Sequence, residues 1–159
     1  MNRLAFEVAE NDGVLAITPA IDGIVLSTLV ADFERAKGYV DPAGGYGGII
    51  PDFFSYGPLG TYFRGQAGHQ GEGERDEEIY VLACECGEVG CWPLMASVVT
   101  TERGYRWEAF RQPHRPDHDY SAFGPFEFER SQYEDEVDSL AQKNIRKSLF
   151  SVLGLAGPS

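Results

Sequence analysis

Two apolar runs around one short polar turn constrain this chain more than anything else in it. Residues 79–83 (Ile-Tyr-Val-Leu-Ala) and 94–99 (Leu-Met-Ala-Ser-Val-Val) flank Gly87-Glu88-Val89-Gly90. Short runs rich in β-branched and aromatic residues, bounded by glycines, predict a β-hairpin. With Cys86 placed opposite Cys91, the two-residue period of a strand puts Tyr80, Leu82, Cys84, Cys86, Cys91, Pro93, Met95 and Val99 on one face. Ile79, Val81, Ala83, Trp92, Leu94, Ala96 and Val98 take the other. Both faces are apolar, so the hairpin belongs in the middle of a sheet that is covered on both sides.

The remaining sequence offers the strands and helices to do that. Residues 4–9 and 14–19 read as strands joined at Asp12-Gly13, a dipeptide that tolerates the positive φ angles of a tight hairpin turn. Asp22-Gly23 marks a second turn before Ile24-Val25-Leu26. Leu26, Leu29, Val30 and Phe33 fall on one helical face. With Ser27 as N-cap and Gly38 as the stop, they predict a short helix over 28–37. Residues 105–110 alternate as a half-buried strand, and 126–129 do so over a shorter stretch. Ser131-Gln132-Tyr133-Glu134 has the form of a capping box. The helix behind it buries Tyr133, Val137, Leu140 and Ala141 and ends at Gly154. Its acids cluster at the start and Lys143, Arg146 and Lys147 near the end, an order that suits the helix dipole. At 159 residues the chain has the length of one domain, 1–159. The expected fold is α+β: an antiparallel sheet of five to six strands, one short helix and a long C-terminal helix.

Residues 38–77 differ in kind. Eleven of the 19 glycines fall there, interleaved with Tyr39, Tyr46, Phe53, Phe54, Tyr56, Tyr62 and Phe63. A flexible linker would not carry so many rings. Two readings stand: an irregular loop whose rings plug into the core, or a lid over a cleft.

Three groups of residues could carry chemistry. Cys84, Cys86 and Cys91 all lie within eight positions. In the inferred hairpin their sulfurs share one face at one end, a three-thiolate corner for zinc, with His114, His69 or His118 as a fourth ligand. The C-x-C spacing departs from the usual two-residue separation, and no second C-x-x-C is present. Buried idle thiols and a redox pair of Cys86 with Cys91 are the competing readings. The second group is His114, Asp117, His118 and Asp119, which could supply a general base with an orienting carboxylate. The third is Arg103, Arg106, Arg111 and Arg115, with Trp107 among them: a cationic stretch suited to a small anionic ligand, or one that neutralises Glu102, Glu108, Asp117 and Asp119. Nothing calls for a cofactor, and zinc is the one metal left open. Phosphate loops, dinucleotide fingerprints, nucleophile elbows and the zinc-helix and zinc-deaminase motifs are all absent from the sequence.

The segments Cys84-x-Cys86-Gly87-x-x-Gly90-Cys91-Trp92-Pro93-Leu94 and Trp107-x-x-Phe110-x-Gln112-Pro113-His114-Arg115 stand out, as do Gly124-Pro125-Phe126-x-Phe128 and Gln132-Tyr133. Together they resemble a family of small bacterial proteins of no characterised function. The resemblance covers about residues 79–140 and implies no activity, cofactor or partner. It implies only that the cysteine turn and the Gln-Pro-His-Arg segment belong to one recurring design.

Charge bears on partners. Thirteen basic residues against 25 acidic ones give a net charge of −12. That excludes nucleic acid and anionic membranes as main partners, since both need a cationic face. A basic protein, or a second copy of the chain, fits better. The N-terminal residues lack an apolar signal core, no apolar run reaches the ~20 residues of a membrane span, and the clustered cysteines do not form a secreted disulfide framework. The expected setting is cytoplasmic. The functional expectation is an acidic binding or interaction protein. The alternative is a metal-dependent or His/Asp general-base enzyme acting on a small anion, with the Cys84–Cys91 turn and the 114–120 loop meeting in one pocket.

Overall fold

The computed structural model describes residues 1–69 and 71–152. Gly154, the expected helix stop, lies outside them. The elements run β1 (Leu4–Asn11), β2 (Val14–Ile21), β3 (Ile24–Val25), α1 (Leu26–Ala36), β4 (Tyr46–Gly47), α2 (Leu59–Phe63), β5 (Glu78–Cys84), β6 (Leu94–Thr100), β7 (Gly104–Arg111), β8 (Phe126–Glu129) and α3 (Arg130–Val152). The fold is α+β and antiparallel, as expected. Its strands divide into two sheets rather than one: β1-β2-β3, and the five-stranded β4-β5-β6-β7-β8.

The central hairpin is where the sequence placed it. Glu78 to Ala83 and Leu94 to Val98 are all buried. Its register differs from the expected one by two residues, with Tyr80 opposite Met95 rather than Ser97. A two-residue slip keeps every side chain on its own face. An irregularity between Tyr80 and Leu82 then sets Leu82 opposite Leu94. The ladder with β6 therefore stops at Leu82 and Leu94; Cys84 ends β5, paired with Tyr46, and Cys86 and Cys91 lie beyond the strand in a loop.

β7 alternates only as far as Glu108. Ala109 takes a positive φ of 54° and forms a bulge, where the pairing steps from Ser97–Glu108 to Met95–Arg111. The extra residue turns Phe110 into the core in place of Ala109 and re-aims Arg111. Asp12-Gly13 and Asp22-Gly23 form the expected tight turns, with positive φ at both residues of each.

The helices begin one or two residues earlier than expected, and their predicted caps are displaced. α1 starts at Leu26 with Val25 before it and no side-chain cap, so Ser27 already lies within the first turn. At α3 the Glu129 carboxylate accepts from the N–H groups of Ser131 and Gln132 and from the Ser131 hydroxyl. Glu129, not Ser131, is the cap. The stripe of α3 is the predicted one, with Tyr133, Val137 and Leu140 buried and Ala141 against them.

The 38–77 segment plugs into the core. Tyr46, Tyr56, Tyr62 and Phe63 are buried, and α2 and β4, neither legible in the sequence, form inside it. The Tyr62 hydroxyl donates to the Tyr80 carbonyl and accepts from the Tyr80 N–H, both at 2.7 Å. It thereby completes the β5 edge that the two-residue β4 leaves uncovered. The same segment ties the sheets together. Tyr46 and Gly47 pair with Cys84 and Ala83 on one sheet, and Ile49 bridges Ile17 on the other. Gly48 sits at the crossing, where a Cβ would lie 2.8 Å from the N and O atoms of Ile17.

Candidate metal centre

Residues 84–91 form two successive turns. The Gly87 N–H donates to the Cys84 carbonyl at 2.8 Å, and the Cys91 N–H to the Glu88 carbonyl at 3.3 Å. Gly87 reverses the chain with φ 97°, and a Cβ there would meet Ile50 and Phe53 at 2.8 Å. Only glycine satisfies both the angle and the space. The double turn brings the sulfurs of Cys84, Cys86 and Cys91 within 4.8 Å of one another. These three residues are a group that could hold a metal ion. Cys86 and Cys91 are exposed and Cys84 is half-buried, so the thiols are not idle core residues.

The sulfurs differ in acidity. The backbone N–H of Glu88, and after it the Cys84 thiol, donate to Cys86 and hold it below the ordinary thiol range. Burial pushes Cys84 up to about 11, reinforced by the hydrogen bonds it gives Cys86 and Cys91, although the Cys86 N–H beside its sulfur opposes the rise. Cys86 is thus the first of the pair to become the thiolate that binds metals.

Beside the turn lies a cleft of about 440 Å³. Its walls include Cys84, Glu85 and Cys86 on one side, with Asn11 and Asp12 of the β1–β2 hairpin and Ile50 and Phe53 of the long segment. No residue of the 114–120 loop lines it. That loop borders a different, smaller cleft of about 270 Å³, formed by residues 38–41 with Arg115 and His118. The two expected partners therefore share one end of the large sheet but not one pocket. Trp92 and the 39–47 strand of chain stand between them. The Trp92 indole donates to the Gly44 carbonyl at 2.9 Å, and the Arg115 guanidinium lies 4.1 Å over its ring. Arg115 also donates to the carbonyls of Asp41 and Pro42.

The other expected site residues are spread out, and most have partners of their own. His114 contacts the Glu72 carboxylate at 2.9 Å and is no part of the sulfur group. His118 stacks on Tyr39 at 3.9 Å, and His69 lies 3.4 Å from Asp76. Asp119 accepts from the Ser121 N–H, while its own N–H donates to Tyr39. Asp117 has no side-chain hydrogen bond among the described residues. Arg106 pairs with Glu108 and Glu127. Trp107 is fully buried and donates to the Tyr133 hydroxyl. Arg111 donates at 2.7 Å to Glu78, a fully buried carboxylate that also accepts from the N–H groups of Glu74 and Arg75. Burial pushes the Glu78 carboxyl up, but Arg111 and those N–H donors outweigh it and hold the carboxyl below its usual range.

One residue that the sequence did not single out is the hub of this end of the molecule. Glu34 on α1 is fully buried and accepts from the Gly44 N–H, the Tyr46 hydroxyl and the Tyr120 hydroxyl at 2.6 to 2.8 Å. Burial, the larger cause, and the neighbouring carboxylate push both phenols far above their ordinary values, so they stay donors. In the sequence, Glu34 reads as one more polar residue of an amphipathic helix. Its only signal is its place one position after Phe33 on the apolar stripe. No protein-family model, curated protein or solved structure matches the chain.

Proposed function

We propose that this protein binds a thiophilic divalent cation, zinc by its chemistry, through the thiolates of Cys84, Cys86 and Cys91. The observation that carries this reading is the convergence of three sulfurs within 4.8 Å on a glycine-built double turn. Sulfurs held about 2.3 Å from a tetrahedral zinc stand about 3.8 Å apart, so the group needs a contraction of at most about 1 Å. The unusual C-x-C spacing counts against zinc only when the cysteines are set on a regular hairpin. On two successive turns, spacings of one and four residues bring the sulfurs to one point. The Glu88 N–H beside the Cys86 sulfur favours its thiolate, the form that a metal requires, whereas the Cys84 thiol, held up by burial, gives its proton up to the ion on binding.

The histidine loop lies outside this site: none of its ligand atoms joins the sulfur group, and its Arg115 stacks on Trp92 next to the turn. The role is therefore that of a metal-binding protein, and the arginines beside that loop serve the fold. Untagged protein, reduced and equilibrated with zinc, is expected to retain one equivalent by elemental analysis after gel filtration. Cys86→Ser and Cys91→Ser should each lose it, whereas His114→Ala should not. Wild-type protein that retains no zinc would overturn the proposal.

A further inference from the structure

The three sulfurs leave a tetrahedral ion one ligand short. Among the described residues, no histidine, aspartate or glutamate brings a ligand atom into their group. All three histidines are placed elsewhere, against Glu72, Asp76 and Tyr39. A site with three protein ligands and an open position is the arrangement of reactive zinc, and four protein ligands that of structural zinc. Two of the three sulfur-bearing residues, Cys84 and Cys86, line the cleft of about 440 Å³. That volume falls within the range of small-molecule sites, roughly 300–1,000 Å³.

The walls of the cleft restrict what can enter. A divalent ion on three thiolates carries a net charge of −1. Asp12 and Glu85 add two carboxylates to the cleft wall. An anionic fourth ligand would enter a cleft that already holds three negative charges, and a thiol would itself become anionic on binding. A neutral nitrogen donor adds no charge. Val14, Ala16, Ile50 and Phe53 add apolar surface to the lining. Phe53 is nearly half exposed, and its ring lies over Gly87 within the cysteine turn.

Resting on the metal reading above, we infer that the bound ion keeps an exchangeable fourth position open to this cleft. A neutral nitrogen-donor small molecule with an apolar body fills it, the donor on the metal and the body against Ile50 and Phe53. Gly47 and Gly48 complete the lining, and Gly47 lies so close to the Cys84 and Glu85 backbone that a side chain there would crowd it.

Cobalt(II) makes the position visible, since its absorption bands report coordination number and ligand type. Cobalt-loaded protein is titrated with imidazole, 4-phenylimidazole and acetate. The expected result is a saturable spectral change with imidazole, a several-fold tighter one with 4-phenylimidazole, and none with acetate. Phe53→Ala should remove the phenyl advantage and leave imidazole binding as it was. Cobalt that binds but gives a four-coordinate spectrum unmoved by either imidazole overturns the open position and leaves the metal site standing. Acetate binding as tightly as imidazole overturns the charge argument and the ligand class with it. Failure to bind cobalt at all overturns both proposals.

Discussion

Single residues in this protein carry more than their sequence context suggests. Arg111, met in the sequence as a candidate for an anionic ligand, spends its guanidinium on the buried carboxylate of Glu78 and on the Glu72 carbonyl. Removing one partner of such a pair leaves an uncompensated charge inside, so Arg111→Leu should cost about 3 kcal/mol in urea unfolding. The pair also sets a pH dependence. The folded state holds the Glu78 carboxyl below 4.5, its ordinary value. Its stabilisation is then fully present above that value and is lost as the pH falls through the lower, folded one. Stability measured between neutral pH and the acid range should fall less steeply in Glu78→Gln than in the wild type, although the variant starts lower. An equal slope in both would show that Glu78 is not held ionised by Arg111.

At the scale of elements, backbone contacts that bypass regular pairing decide the architecture. The three-stranded sheet meets the five-stranded one through single bridges, Asn2 with Phe128 and Ile17 with Ile49. Side chains complete the strand edges between them. Gln132 donates to the Leu4 carbonyl and accepts from the Leu4 N–H, as Tyr62 does for Tyr80. Gly48 permits one of the bridges by letting two backbones touch. Gly48→Ala places a methyl 2.8 Å from the Ile17 backbone and should destabilise by about 1–3 kcal/mol, against nearly nothing for Gly90→Ala, where the space is open. Thermal unfolding of the two variants makes the comparison. The start of α3 offers a second test. If Glu129 is the cap, Glu129→Ala should lower the midpoint of thermal unfolding, and Ser131→Ala, whose hydroxyl only donates to that carboxylate, should lower it distinctly less.

For the whole molecule, the metal site and the fold should be linked. The sulfur turn joins β5 to β6, and its neighbours Gly45 and Trp92 anchor the long segment. A ligand that binds only the folded state at a hundred times its Kd adds about 2.7 kcal/mol. For a chain of this length that raises the midpoint of thermal unfolding by about 5–10 °C. Zinc should produce this shift in wild-type protein and none in Cys86→Ser; an equal shift in both would place the metal elsewhere. No described helix is long and apolar enough to cross a membrane. What the sequence determined by itself was local. Asp-Gly pairs fixed two turns, apolar runs fixed the buried hairpin, and the stripe of Tyr133, Val137 and Leu140 fixed the inner face of α3, because each signal lies within a few residues of its effect. The three cysteines were legible as a group for the same reason. Other features only the tertiary structure decided. The joining of the two sheets depends on Ile49 bridging Ile17 across 32 positions, with Gly48 at the crossing. The Glu34 hub depends on Tyr120, 86 positions away. The bulge at Ala109 exchanges which of two neighbours faces inward. The separation of the cysteine turn from the histidine loop depends on Trp92 lying beneath Arg115. A buried carboxylate, a bulge and a stacked guanidinium look like any other acid, alanine and arginine until distant residues supply the partners that make them stable where they are.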